Sequence, residues 1–142
     1  MIRHYKELSK TQIEKLLGLW EESVKASHDF LDEKNFKIIK KYLMEFDFKG
    51  LEFLFAYEKD ELAGFLGFHQ EEIQMLFIHP SFFNRGFGSQ LLKKAMQDFK
   101  LNKVEVNFDN KKALKFYQKF GFQIVGEYQD DFGFKLLKMQ KS

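Results

Sequence analysis

Apolar residues recur at helical spacing in the first third of the chain. A first helix, which ends near residues 26–29, has an apolar face of five side chains: Ile13, Leu16, Leu17, Trp20 and Val24. Its N-terminus has two alternative capping boxes: Ser9 with Gln12, or Thr11 with Glu14. A second helix is predicted from Asp32, as its cap, to about Phe46, and Gly50 breaks the pattern after it.

From residue 51 the apolar period shortens from about 3.6 towards about 2 residues, which is typical of strands. The later elements are predicted in this order: strands over residues 51–57, 62–69 and 73–78, a helix over 88–100, a strand over 104–108, a helix over 111–120, and strands over 122–128 and 134–139. A short strand over residues 2–5 precedes them all. The order predicts an α/β (α+β) fold, a mixed central sheet flanked by about four helices, in a single domain over residues 1–142.

Composition narrows the classes of function. The 23 basic and 21 acidic residues nearly cancel and are interspersed, so neither nucleic acid nor a membrane surface is expected as a partner. Cysteine is absent and the four histidines lack ligand spacing, so no disulfide, cysteine nucleophile or metal is expected. No apolar run approaches the roughly 18 residues of a membrane span, so a cytoplasmic location is expected. The 19 phenylalanines predict a core built from aromatic rings.

Two glycines fall where the helix over residues 88–100 begins. Gly86 and Gly88 follow the strand that ends at Ile78, so strand, glycine loop and helix start succeed one another. A helix N-terminus presents unpaired N–H groups, and glycine lets phosphate oxygens approach them. Arg85, in the same loop, carries a planar fork that suits phosphate. A phosphate-bearing ligand is therefore predicted, and a plain tight turn is the alternative interpretation. Neither a Walker loop nor a Rossmann fingerprint is present.

A second motif lies in residues 106–122, VNFDNKKALKFYQKFGF. Together with the glycine loop it resembles the GNAT superfamily of N-acetyltransferases, in its small bacterial single-domain type, whose segment N-x-x-A-x-x-F-Y-x-x-x-G-F is met at every fixed position. These positions are Asn110, Ala113, Phe116, Tyr117, Gly121 and Phe122. The resemblance covers essentially the whole chain. It implies a mostly antiparallel central sheet whose fourth and fifth strands splay apart.

The resemblance implies an enzyme that uses acetyl-CoA as cosubstrate and moves its acetyl group directly to a primary amine in a ternary complex. The acceptor would be a small molecule or a peptide, and the protein a monomer or a homodimer. In this family the fourth strand pairs with the pantetheine arm and the glycine loop binds the pyrophosphate. The implied cofactor-binding residues are Leu76, Phe77, Ile78, Asn84, Arg85, Gly86, Phe87, Gly88, Ser89, Asn107, Asn110, Phe116 and Tyr117. For Asn107 and Asn110, closing a strand and capping a helix are the alternatives.

Tyr117 is the expected catalytic residue. As an amine attacks a thioester, the sulfur departs as a thiolate, and a phenol nearby can give it a proton. A tyrosine packed in the core is the alternative interpretation.

The residues of the acceptor side are less defined by the sequence. The base that deprotonates the amine is left open among Glu71, Glu72, His28 and His69. The expected acceptor-side residues are His28, Phe30 and Glu72. Asp130 and Asp131 either attract a cationic amine or form a solvated turn.

One position departs from the family pattern. Phe83 stands where the leading Gln or Arg of the family's loop falls, and it has no polar group for pyrophosphate. Weaker cofactor binding is therefore expected, and Arg85 is the side chain that can compensate. Two alternatives stay open: a non-catalytic protein that binds or senses acyl-CoA, and a transferase that uses a different acyl donor.

Overall fold

The structure, a computed structural model, describes residues 1–27 and 32–142. Within these residues the elements are β1 (Ile2–Tyr5), α1 (Lys10–Ser27), α2 (Glu33–Met44), β2 (Glu52–Glu58), β3 (Glu61–His69), β4 (Glu72–Ile78), α3 (Phe87–Phe99), β5 (Lys103–Asn107), α4 (Lys111–Lys119), β6 (Gln123–Gln129) and β7 (Lys135–Gln140). A single 3₁₀ turn, Pro80–Phe82, lies between β4 and α3. The predicted order and type of the elements are confirmed.

The helix starts follow the predicted capping chemistry. Of the two boxes, the first forms: the N–H of Gln12 donates to Ser9 Oγ at 3.1 Å, and the N–H of Ser9 donates to Gln12 Oε1 at 2.8 Å. Asp32 caps α2, because its Oδ1 accepts the N–H of Asn35 at 2.7 Å. The helix ends at Met44, two residues earlier than the pattern predicts. Local hydrogen bonds of the side chains thus fix where both helices begin.

A bulge in β4 divides the sheet. The strand order is β1-β2-β3-β4-β5-β7-β6, and neighbouring strands are antiparallel except for β4 and β5. Gly67 and Phe68 of β3 pair with Met75 and Ile73 of β4, so Gln74 is an extra residue between them. The parallel pairing of β4 with β5 covers only Glu72 with Lys103 and Ile73 with Val104. The predicted splay of the fourth and fifth strands therefore begins at Gln74.

Each face of the sheet supports a hydrophobic core. Side chains along β2 alternate between the two cores, as a pleated strand requires. One core packs against α3 and α4 and includes Leu91, Leu92 and Ala95. The other packs against α1 and α2, and its centre consists of aromatic rings: Trp20, Phe48, Phe53, Phe55 and Phe65. The first core also buries aromatic residues, namely Phe68, Tyr117 and Phe122, so aromatic rings pack on both faces of the sheet.

We expect Gly67→Ala to destabilise the protein. Gly67 pairs with Phe53 across β2 and β3, and a Cβ at this position would lie 2.7 Å from Cε1 of the Phe53 ring. Because Phe53 is fully buried, the ring has no room to withdraw. The overpacking should lower the free energy of unfolding by about 1–3 kcal/mol, measured by urea unfolding with circular dichroism.

Gly18→Ala is the matched control for this substitution. Gly18 lies in the interior of α1, and no heavy atom lies within 4 Å of a Cβ built there. The same change should raise the free energy of unfolding by roughly 0.5–1 kcal/mol, since alanine favours a helix interior over glycine. Equal stability of the two variants would show that the fit between β3 and the Phe53 ring is looser than described.

Candidate active site

A cleft of about 750 Å³ opens where β4 and β5 part. Its size is that of a site for a small molecule or cofactor. The walls come from α1, α2, β4, β5, the loop before α3, the start of α4 and the hairpin between β6 and β7. Of the predicted cofactor residues, those that line it are Leu76, Phe77, Ile78, Asn84, Gly86, Phe87, Gly88, Asn107, Asn110, Phe116 and Tyr117. The structure thus brings most of the predicted site together.

The edge of β4 that faces the cleft forms one wall. Leu76, Phe77 and Ile78 pair with β3 on their other side, and their pairing with β5 has already ended. Their backbone groups can therefore pair with an extended ligand, as a peptide adds to a sheet edge. Gly64 is required opposite Ile78, because a Cβ there would lie 2.4 Å from Ile78 Cδ1 and 3.0 Å from the carbonyl oxygen of Phe77.

The loop before α3 presents backbone donors at another wall. Asn84 and Gly86 adopt left-handed conformations, with φ of 61° and 84°. Gly86 is the N-cap of α3, and no side chain in residues 1–27 and 32–142 caps the helix. The first N–H groups of a helix have no partner within the helix, so those of α3 are suited to an anion. Gly88 packs beside Phe116, since a Cβ there would lie 3.7 Å from the ring.

Phe83 and Arg85 lie on opposite sides of this loop. Phe83 lines the cleft, whereas Arg85 and Ser89 are absent from its lining. The guanidinium of Arg85 forms an ion pair with Glu58 at the end of β2, and this pair holds the pKa of Glu58 below its usual value. The side chain predicted to compensate for Phe83 is thus engaged outside the cleft. Contacts of Arg85 and Ser89 with a cofactor stay a prediction.

The two asparagines of the second motif have local partners. Asn107 Oδ1 accepts the N–H of Asp109 at 2.9 Å, and this bond shapes the turn after β5. Asn110 Oδ1 accepts the N–H of Ala113 at 3.1 Å and caps α4. Both alternatives considered for these residues are therefore real structural roles. Contacts of either side chain with a cofactor stay a prediction.

Tyr117 is buried at the junction of the cleft and the core. Its side chain is 5% exposed, and its ring packs against Phe116 and Phe122 with centroids 5.1 Å and 5.5 Å away. Burial raises the pKa of the Tyr117 phenol above its usual value of 10.0, because the charged form is penalised there. The phenol is therefore a protonated donor at neutral pH and beyond.

Two aromatic rings from separate elements meet in the lining of the cleft. Tyr42 of α2 and Phe132 of the hairpin between β6 and β7 are arranged edge to face, with centroids 5.6 Å apart. Asp130 also lines the cleft, and its Oδ1 accepts the N–H groups of Phe132 and Phe134, both at 2.9 Å. The turn role considered for Asp130 is thus confirmed, at a place where its charge also faces the cleft.

Three of the base candidates taken from the sequence, Glu71, Glu72 and His69, are absent from the lining of the cleft. Glu71 pairs with Lys103 at 3.3 Å, and His69 Nδ1 lies 3.1 Å from the carbonyl oxygen of Gly50. Glu72 is paired with Lys103 of β5 and is absent from the lining. Its predicted place on the acceptor side stays a prediction. His28 and Phe30 lie outside the described residues.

The sequence reasoning missed Glu105, a carboxylate that lines the cleft. Val104 and Val106 point into the core, so alternation along β5 places Glu105 on the other face, one residue beyond the last pair with β4. The phenol of Tyr128 donates to Glu105 Oε1 at 2.5 Å, which raises the pKa of Tyr128 to about 12. The Val-Glu-Val alternation is the signal that could have found it.

No group of three or more histidine, cysteine, aspartate or glutamate side chains within residues 1–27 and 32–142 is arranged to hold a metal ion. In the same part of the chain, no helix combines the length and the apolar character that crossing a membrane requires.

Comparison with known proteins gives a consistent result. The family model described as acetyltransferase (GNAT) domain matches residues 12–142. A peptidyl-lysine N-acetyltransferase of Salmonella typhimurium, YjaB, is 31% identical over 121 residues, which cover 84% of this chain and 83% of that protein.

Two solved structures share the fold over nearly their whole length. The solution structure of apo-form YjaB from Escherichia coli has a TM-score of 0.81 and 27% identity, with 99% of this chain and 97% of that chain covered. PaiA N-acetyltransferase from Thermoplasma acidophilum in complex with coenzyme A has a TM-score of 0.73 and 21% identity, with 100% and 99% covered. At that identity the second likeness concerns the fold alone.

We expect Tyr117→Phe to change how stability depends on pH above about pH 10. The unfolded chain releases the Tyr117 proton near its usual pKa of 10.0, whereas the folded protein retains it because of the raised pKa. Stability contributed by the neutral phenol is therefore complete below about pH 10 and is lost as pH rises towards the folded pKa. Above about pH 10, the free energy of unfolding should fall with each pH unit by about 1.4 kcal/mol less in the variant than in the wild type.

Urea unfolding at stepped pH measures this difference. Tyr42→Phe is the control, since it removes a phenol that is 50% exposed. Parallel stability curves for wild type and Tyr117→Phe would contradict the burial of a titrating phenol at this position.

Proposed function

Since this chain belongs to the GNAT acetyltransferase family, we propose that it moves the acetyl group of acetyl-CoA directly to a lysine side chain of a peptide or protein. The splay of β4 and β5 is the observation that carries this proposal. It exposes the edge of β4 in a cleft that is also lined by the loop before α3, with its unpaired N–H groups, and by the buried phenol of Tyr117. A binding site for acetyl-CoA requires these three parts: the strand edge for the amide-containing arm, the N–H groups for the pyrophosphate and the phenol for the thioester.

Acetyl-CoA binds along this cleft in the proposed complex. The amides of the pantetheine arm pair with the backbone of Leu76 to Ile78, so side-chain identity matters little there. The pyrophosphate lies at the N-terminus of α3, where Gly86 and Gly88 let the phosphate oxygens approach. Phe83 adds no polar contact, so the affinity at this end depends on backbone N–H groups.

Tyr117 acts as the general acid. The amine nitrogen attacks the thioester carbon, the C–S bond breaks, and the thiolate of CoA takes the proton of the Tyr117 phenol. Burial raises the pKa of the phenol, so Tyr117 is protonated at neutral pH and a proton is available for the thiolate. The chain has no cysteine, so it offers no thiol for an acyl-enzyme intermediate, and this fits direct transfer.

Glu105 acts as the general base. It lines the cleft beside the point where β4 and β5 part, which is the acceptor side of the open strand edge. Its carboxylate takes a proton from the lysine ammonium, directly or through one water, and leaves a neutral amine that can attack. The nitrogen of the new amide loses its second proton, which restores the Tyr117 phenol. Overall, acetyl-CoA and a lysine ammonium give acetyl-lysine, CoA and one proton, so charge and atoms balance.

The lining of the acceptor end suits a lysine side chain. The rings of Tyr42 and Phe132 offer apolar contact to its methylene groups and a π face to its ammonium. The carboxylates of Glu105 and Asp130 give the cleft a charge opposite to that of the ammonium. The YjaB relative carries the description peptidyl-lysine N-acetyltransferase, which supports the same class of acceptor.

We expect Tyr117→Phe to abolish most of the transfer while cofactor binding remains. Loss of the general acid should lower kcat by about 100-fold or more. The melting temperature should still rise with acetyl-CoA, because the pyrophosphate and pantetheine contacts are untouched. Release of CoA in the presence of a lysine-containing peptide measures the rate, and thermal shift measures binding.

The wild-type protein in the same assay separates the proposal from its alternatives. Binding of acetyl-CoA without release of CoA, across peptides and small amines, would indicate a non-catalytic acyl-CoA-binding protein. Faster release with a longer acyl group would indicate a different donor. A full rate for Tyr117→Phe across the pH range would refute the role of Tyr117.

Glu105→Gln should also lower kcat, with the largest loss near neutral pH, because the amide cannot accept the ammonium proton. The loss should shrink at high pH, where more of the lysine is already neutral. Glu127→Gln is the control: Glu127 lies on β6 and pairs with Lys135 at 3.1 Å, away from the cleft lining. A loss in Glu72→Gln greater than that in Glu105→Gln would assign the base to Glu72 instead.

A further inference from the structure

Arg85 lies in the middle of the loop before α3, yet its side chain leaves the cleft. We propose that Arg85 is a positioning residue: with Glu58 it clamps the loop to the end of β2, so that the backbone N–H groups meet the pyrophosphate of CoA already oriented. This inference rests on the proposed use of acetyl-CoA. It gives Glu58, a residue of the β2–β3 hairpin, a role in cofactor binding.

The conformation of the loop turns the Arg85 side chain outward. The residues on either side, Asn84 and Gly86, are both left-handed, and both line the cleft. Arg85 itself pairs with Glu58 and is absent from the cleft lining. The two neighbours thus face the cofactor cleft, while the arginine faces β2. This arrangement is expected of a side chain that anchors the loop, not of one that binds the phosphate.

The guanidinium also joins the two ends of the loop. Its central carbon lies 5.3 Å from the centroid of the Phe82 ring, before the loop, and 5.7 Å from that of the Phe87 ring, in the first turn of α3. The two rings meet edge to face, with centroids 5.5 Å apart. One cation therefore contacts the residues that enter and leave the loop, while Glu58 ties it to the sheet.

A clamp is useful here because the loop is costly to hold. Asn84 has a left-handed backbone without being glycine, a conformation that the surroundings must stabilise. Phe83 supplies no polar side chain to the cleft, so binding depends on N–H groups whose directions are fixed by that backbone. Holding the loop before the cofactor arrives removes part of the ordering cost from the binding step.

The competing role for Arg85 is direct contact with the pyrophosphate. In that case Glu58 would be a rival anion that must be displaced, and removing its charge would tighten CoA binding. In the clamp, removing the charge of Glu58 loosens the loop and weakens CoA binding. The direction of the change in Kd for Glu58→Gln therefore distinguishes the two roles.

The experiment is a double-mutant cycle on CoA affinity, measured by calorimetry with wild type, Glu58→Gln, Arg85→Met and the double variant. We expect Glu58→Gln to raise the Kd of CoA about three- to fivefold, in the range of one exposed ion pair. Arg85→Met should raise it further, because the contacts with both rings are lost as well. The double variant should match Arg85→Met alone, since one coupled interaction has been removed. The value of kcat at saturating acetyl-CoA should not change.

Acetyl-pantetheine, which lacks the pyrophosphate, provides the specific readout. Its KM should be the same for wild type and Glu58→Gln, whereas a general loosening of the fold would raise it too. Asp98→Asn is the matched control, because Lys94 and Asp98 form an exposed ion pair at 2.7 Å later on α3. That variant should bind CoA as the wild type does.

The outcomes separate the clamp from the proposed function. If wild type binds no CoA, the proposed function fails. If wild type binds CoA and Glu58→Gln binds it equally or more tightly, the clamp alone is refuted. A rise in the KM of acetyl-pantetheine equal to the rise for acetyl-CoA would also refute the clamp, because the effect would not depend on the pyrophosphate.

Discussion

The bulge at Gln74 is the constraint on which the site depends. Up to Ile73, β4 and β5 are held in one parallel ladder, and after the extra residue β4 follows β3 while β5 follows β7. Strands that separate in the middle of a sheet expose backbone groups that a continuous ladder would pair. The gap between the strands lets Tyr117 reach the cleft from one face of the sheet and Glu105 reach it from the other. Removing the extra residue would shift the register of β4 against β3 by one residue and turn the side chains on one side of the bulge to the opposite face.

Much of the fold followed from local patterns in the sequence. The periods of apolar residues located the helices and strands, and Ser9, Asp32 and Asn110 marked helix starts because a cap is a contact between near neighbours. The pairing of β4 with β5 was not visible in those patterns, because it joins segments separated by a helix. The resemblance to a family supplied it. The position of Glu72 relative to the cleft could not be read from the sequence for the same reason, since it depends on the register with β5.

The side chains that the sequence misread are those whose partners are distant. Glu105 looked like an ordinary exposed position, and only the separation of β4 and β5 makes its surroundings special. Arg85 looked like a phosphate ligand, since it lies in the loop that contains Gly86 and Gly88, whereas its carboxylate partner lies 27 residues earlier. Local motifs therefore located the loop and left the direction of its arginine undetermined.

The contact between Tyr42 and Phe132 bears on the acceptor of the proposed function. The two rings belong to separate elements, touch each other and both line the cleft, so a lysine that enters beside them meets a fixed apolar surface. An extended alkyl chain would fit such a surface better than a bulky or branched group. A lysine on a chain terminus or a protruding loop would reach into the cleft more readily than one that lies flat on a rigid surface. Selection among protein substrates would then follow the local mobility of the modified segment more than the identity of the residues around it.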